Sequence, residues 1–246
     1  MESLKWNRNC NFKAEWYIYG MNFYPPITPN NFFHIYNRGN NRENIFTCHQ
    51  NYIYFLKKYD FYLSGFLDTY AFCLLPNHFH LLVKVKDPCE WEGIVGGKGD
   101  FADTDFPSFK NLEGLTLKTQ PQRSPEKVIS RQFRLFFMSY SKSINKQDGR
   151  IGSLFQKNFK RKQVDNNAYL QKVIHYIHAN PELHSICKDY KDYPYSSFGR
   201  IVTEKPSKLQ KEKVLEMFGG KEKYQQFHNI TNKENLPALA DNEGME

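Results

Sequence analysis

His78 and His80 stand one residue apart inside the apolar run "LLPNHFHLLVKV", Leu74 to Val85. On a β-strand, residues i and i+2 point to the same face. The two imidazoles therefore project together, while Phe79 points the other way into packing. Paired imidazoles on a rigid strand make half of a metal site, with ligand character suited to Mn, Zn or Fe, or to Mg when oxygens are added. The competing reading is a polar pair on the solvent face of an edge strand.

A second constellation lies in "VIHYIHANP", Val173 to Pro181. Tyr176 and Asn180 are four residues apart on an expected helix and share a face. The core stripe of that helix is Leu170, Val173, Ile174 and Ile177. Tyr176 falls about 60° around from Val173, on the flank of the stripe, and His175 and His178 diverge from it. The plain reading of Tyr176 is packing, with its hydroxyl in water.

The elements that must hold these residues can be read in order. Residues 1–30 are irregular and end in the loop "YPPITPN". "NFFHIYNRG", Asn31 to Gly39, reads as an aromatic strand closed by a turn. "TCHQNYIYFLKKYDFYL" carries Tyr52, Phe55, Leu56, Tyr59 and Leu63 at helical spacing. Thr69 to Leu75 and His78 to Lys86, split by Pro76-Asn77, form a β-hairpin. Residues 87–122 are rich in Gly, Pro and Asp and read as a flexible insertion. Ser124-Pro125-Glu126 opens a helix whose apolar side is Ile129, Phe133, Phe136, Phe137, Tyr140 and Ile144, up to about Lys146. "FQKNFKRKQV" is a short basic strand. Asp165 or Asn166 caps the helix that bears Tyr176, and Pro181 stops it. "KDYPYSSFGR" reads as loop. A helix from Ser207 to Phe218, ended by Gly219-Gly220, and a shorter one near Tyr224 to His228 make up the tail. This order predicts an α+β sandwich with a mainly antiparallel sheet, helices on one face, and a small helical C-terminal tail. The expected division is an N-terminal segment 1–30, a catalytic domain 31–200 and a tail 201–246.

Bulk composition limits the function classes. The 246 residues are 40% hydrophobic and 16% aromatic, enough for a real core. No apolar run approaches the length of a membrane span, and no cationic stretch followed by an apolar one opens the chain, so a cytoplasmic protein is expected. Five cysteines, widely spaced and without a CxxC, fit reduced thiols better than disulfides or a zinc site. A formal net charge of +8 in an aromatic-rich chain points to a nucleic-acid partner. Candidate phosphate contacts are Arg38 and Arg42 after the first strand, Lys157, Lys160, Arg161 and Lys162 on the basic strand, and Lys172.

Three phrases in order, "AFCLLPNHFHLLV", "GSLFQKNFKRKQV" and "YLQKVIHYIHANP…DYPYSSF", resemble the REP-associated tyrosine transposases, a branch of the single-tyrosine HUH transposases of bacterial insertion sequences. The similarity runs from about Phe32 to Arg200. It implies a ferredoxin-like fold with His78 and His80 as metal ligands on a central strand and Tyr176 as nucleophile. It further implies Asn180 as third ligand, where relatives often carry glutamine, and Mg or Mn as the cofactor. The partner implied is single-stranded DNA, from repeats that fold as hairpins. The activity implied is nicking and strand transfer through a 5′-phosphotyrosine link, by a transposase or a domesticated relative acting as monomer or homodimer. Two other readings fit the residues: a metal-dependent nuclease that activates water, and a DNA-hairpin-binding module without catalysis. The insertion at 87–122 departs from the compact family core.

Overall fold

A computed structural model describes residues 24–91 and 124–230. The basic unit is β1 (Phe32–Arg38), α1 (His49–Leu63), β2 (Leu67–Leu75), β3 (His78–Val85), α2 (Pro125–Gln147) and β4 (Lys160–Val164). The four strands form one antiparallel sheet in the order β2-β3-β1-β4. A βαββαβ chain with that order is the ferredoxin-like arrangement. Only a 3-10 turn, Pro88–Trp91, is described from the expected insertion; residues 92–122 of it lie outside the described residues.

Apolar spacing gives α1 and α2 one packing face each, and the crossovers put both on the same side of the sheet. Tyr52, Phe55, Tyr59 and Tyr62 on α1, and Ile129, Phe133, Phe136, Tyr140 and Ile144 on α2, recur every three or four residues, and all are buried. The connections β1-α1-β2 and β3-α2-β4 both cross in the favoured right-handed sense only if their helices lie on the same side. Phe55 is the hub of this layer, with ring centroids 4.9 Å from Phe136, 5.1 Å from Tyr140 and 5.1 Å from Phe79. Odd-numbered β3 residues Phe79, Leu81, Val83 and Val85 supply the sheet's half of this core.

The expected α+β sandwich is therefore present, but helices cover both faces of its sheet rather than one. Helix α3 (Asn167–Leu183) follows β4, and the side chain of Asn166 accepts a hydrogen bond from the Tyr169 N–H at its start. Its stripe of Leu170, Val173, Ile174 and Ile177 packs under the other face against Ala71, Cys73, Leu75, Leu82 and Val164. Helices α4 (Phe198–Ile201), α5 (Lys211–Phe218) and α6 (Lys221–Ile230) add Ile201, Val214, Phe218 and Tyr224 to this second core. Gly219, at φ 78°, ends α5 in the left-handed conformation expected of a glycine there.

Several local expectations are corrected: α5 starts at Lys211 rather than Ser207, α6 is longer than the expected Tyr224 to His228, and "KDYPYSSFGR" takes in most of a 3-10 turn, Tyr190–Asp192, and the start of α4. Pro181 does not stop α3, which runs on to Leu183. A proline so near the end removes one amide donor without forcing a break, and its own carbonyl accepts from Ile186 at 2.8 Å. The basic strand is also shorter than "FQKNFKRKQV": it spans Lys160–Val164, so Lys157 sits in the preceding loop.

Candidate active site

The alternation of β3 places His78, His80 and Leu82 toward α3, opposite to Phe79. β3 is an internal strand, and the two histidines are 4% and 0% exposed. The solvent-facing edge-strand reading does not hold. Their rings lie 5.2 Å apart at 86°.

Each imidazole is held through its Nδ1. His78 Nδ1 lies 2.6 Å from Asn77 Oδ1. An amide oxygen only accepts, so Nδ1 carries the proton and the neutral ring keeps a lone pair on Nε2. His80 Nδ1 meets His34 Nε2 at 3.0 Å. When His80 donates in that bond, its Nε2 is likewise a lone pair. Burial keeps these rings neutral. His34 and His78 are pushed down to about 3, with the charge of Lys162 adding to the effect at His34. Those of His184 and Arg38 add to it at His78, where the Asn180 side chain acts in the opposite direction. His80 falls well below the usual imidazole range, again from burial first.

Helix α3 brings the other two residues in. Tyr176 lies edge-on to both His80 and His34, with ring centroids 5.7 and 6.0 Å away. Asn180 Nδ2 donates to the Tyr176 carbonyl at 2.9 Å. That bond fixes the amide: the atom facing a carbonyl must be the NH2, so Oδ1 faces away from it. His78 Nε2, His80 Nε2 and Asn180 Oδ1 are all buried side-chain atoms without a hydrogen-bond partner. Buried polar atoms are normally satisfied. These three acceptors, on residues that the sheet and α3 gather beside Tyr176, are a donor set that a divalent cation could take. Among the described residues no group of three or more His, Cys, Asp and Glu could hold a metal; here the third donor is an amide oxygen.

Tyr176 is 1% exposed, not on a wetted flank.

The cations divide between two faces. Arg38 pairs in register with His78 across β1 and β3, and its Nε is buried without a partner. Arg42 closes the 3-10 turn after β1 and lowers the Arg38 pKa further beyond the effect of burial. Lys160 lies over the Tyr36 ring at 5.9 Å, and Lys162 Nζ donates to Tyr169 Oη at 2.8 Å. Lys172 is exposed on α3, one turn before Tyr176. Arg161 points to the opposite side of the sheet, where the carbonyl of Pro25 accepts from its Nε at 2.5 Å. Lys157 lies on that side too.

Sequence reasoning missed His34. It sits on β1 with Tyr36 and Arg38, and polar groups at every second position of that strand are the available signal.

The chain matches a Haemophilus influenzae protein named as a REP-associated tyrosine transposase, 29% identical over 135 residues. The chain resembles that family in sequence. The match takes in 55% of this chain and 61% of the relative's length. A solved REP-associated tyrosine transposase bound to a REP hairpin aligns with a TM-score of 0.46 and 18% identity, over 75% of this chain and 86% of that one. No family model matches the chain.

Proposed function

We propose that this protein nicks and rejoins single-stranded DNA, with Tyr176 as nucleophile and His78, His80 and Asn180 as the holders of a divalent ion, Mg or Mn. The observation that carries the reading is the set of three buried, unpartnered acceptor atoms beside a tyrosine. The sequence similarity to a REP-associated tyrosine transposase supports it, and hairpin-forming repeats are the substrate it suggests. When bound, such an ion withdraws charge from a non-bridging phosphate oxygen, which a dianionic transition state requires.

The chain's own residues do the rest. Arg38, Lys160 and Lys162 border the face and offset phosphate charge. Tyr176 loses its proton and attacks phosphorus in line. The bond to the 3′-oxygen breaks, that oxygen takes up a proton, and the 5′-phosphate is left on the tyrosine. Attack by a 3′-hydroxyl on this link reverses the chemistry and frees Tyr176. The phosphoester bond is conserved throughout, so rejoining needs no nucleotide cofactor. Asn180 ties the α3 backbone at Tyr176 to the ligand set, so that nucleophile and cation are positioned by one hydrogen-bonded unit.

The burial of Tyr176 favours a second reading, a hydrolytic nuclease in which water attacks and Tyr176 only packs. A covalent-capture assay separates the two. Oligonucleotides from the DNA flanking the gene are incubated with protein and Mg or Mn, then resolved on a denaturing gel. The expected result is a metal-dependent protein–DNA adduct that disappears in both Tyr176→Phe and His78→Ala. Cleavage that persists in Tyr176→Phe without any adduct sinks the first reading in favour of the second.

A further inference from the structure

The face of the sheet turned away from Tyr176 carries a groove of about 860 Å³ between α2, the loop before β4 and Tyr24. It continues into a shallower one toward the start of α2. Lys127, Arg131 and Arg134 line them at i, i+4 and i+7 on α2, so they project from one side of the helix along about 10 Å. All three are exposed, as is Lys157 across the groove, and none of the four forms an ion pair among the described residues. Glu126 is the one acid in the lining, at the far end.

The groove is apolar at its base. Phe137 and Phe159 line it, and Met138, one turn beyond Arg134 on α2, is 50% exposed. Arg161 is stacked over Tyr24 and Phe159, with its guanidinium carbon 5.8 and 5.2 Å from the ring centroids. Cations on a rim above an aromatic floor suit a single nucleic-acid strand, whose phosphates take the rim while unpaired bases lie on the rings. A duplex has its bases stacked away and offers nothing to the floor. An acidic peptide would match the charge but leaves the rings unused.

The groove is also connected to the candidate active site. β4 is an outer strand of the sheet. It sends Lys160 and Lys162 to the Tyr176 side and Arg161 to the groove side. The loop that lines the groove is tied to the other face where the Gln156 N–H donates to the Arg38 carbonyl at 2.8 Å. We infer that the α2 groove binds the single-stranded flank of the DNA, which passes from the Tyr176 face around the β4 edge. This rests on the nicking function proposed above and adds a second contact surface to it.

Fluorescence anisotropy with labelled single-stranded oligonucleotides of two lengths tests it. The shorter spans only the cleavage point, and the longer extends by about eight nucleotides on one side, within the range one such groove covers. The double variant Arg131→Ala/Arg134→Ala changes exposed side chains only, and its thermal unfolding is recorded as a folding control. Affinity for the longer strand is expected to fall about tenfold at 0.1 M salt, with the log–log salt slope reduced by about 1.4, two contacts at roughly 0.7 each. A benzophenone amino acid in place of Met138 should crosslink to the longer strand and not to the shorter. An unchanged slope together with no crosslink overturns the inference, and means that the groove is filled by another part of the chain. Equal competition by a poly-glutamate peptide also overturns it. Adduct formation by the wild-type protein is scored separately. A reduced slope without an adduct keeps the groove and removes the nicking reading, and an adduct with an unchanged slope does the reverse.

Discussion

His34 reaches His80 from a neighbouring strand and holds the one imidazole nitrogen that a cation would not use. Partners of this kind fix the tautomer and aim of a ligand, and their loss typically weakens metal binding 10- to 100-fold. His34→Ala should therefore lower Mn affinity by about that factor in calorimetry, and His34→Gln, whose side-chain oxygen can accept from His80, should recover most of it. Unchanged Mn binding in His34→Ala would reduce His34 to packing. The four residues singled out from sequence were legible because each pair obeys one local period: two on a strand, four on a helix. His34 was not, because its bond to His80 joins residues 46 apart and exists only through the β1–β3 register.

At the scale of elements, Phe79 shows how one strand serves two layers. It is 0% exposed and touches Phe55, Phe137 and Phe155, while its neighbours His78 and His80 face α3. Phe79→Ala should destabilise the protein by about 3–5 kcal/mol in urea unfolding. At urea concentrations where it is still folded, its Mn binding should stay within a few-fold of wild type. A loss of stability below about 1 kcal/mol would show that the layer closes over the void. The strands and helices themselves were readable because their apolar residues repeat at the right spacing. The covering of both faces was not. A stripe such as Leu170, Val173, Ile174 and Ile177 states that a helix packs, without stating against which side of a sheet. The crossover rule decides the side for α1 and α2, which join strands of the sheet, and leaves α3 undetermined because no strand follows it.

At the scale of the whole molecule, the second core holds titratable groups that set a pH window. Burial lowers His175 to about 4 and His228 to about 3, with Glu182 opposing it at His175 and the Tyr224 carbonyl at His228. His178 lies beside them, 3.1 Å from His228 and 2.8 Å from the Ser197 hydroxyl. In the unfolded chain these imidazoles take up protons near pH 6.5, and in the folded chain only near those lower values. Their contribution to stability is thus fully present above about pH 6.5 and is lost as the pH falls toward 4 and below. The urea midpoint should be level from pH 8 to 7 and drop by pH 5.5, before most carboxylates titrate. A midpoint equal at pH 7 and 5.5 would contradict it. Among the described residues no helix is long and apolar enough to cross a membrane.

The antiparallel register of β1 with β4 has a temporal consequence. Phe32 pairs with Val164, so the sheet closes only after most of the chain has emerged and a loop of well over a hundred residues has been shut, an entropic step that slows folding. Helix α3 follows β4, and with it come Tyr176 and Asn180. During synthesis the imidazole pair of β3 is therefore made long before Tyr176, the nucleophile proposed above. A protein that cuts DNA would gain its cutting residue only as the final layer docks, so fragments released early from the ribosome should bind cations weakly and leave DNA intact.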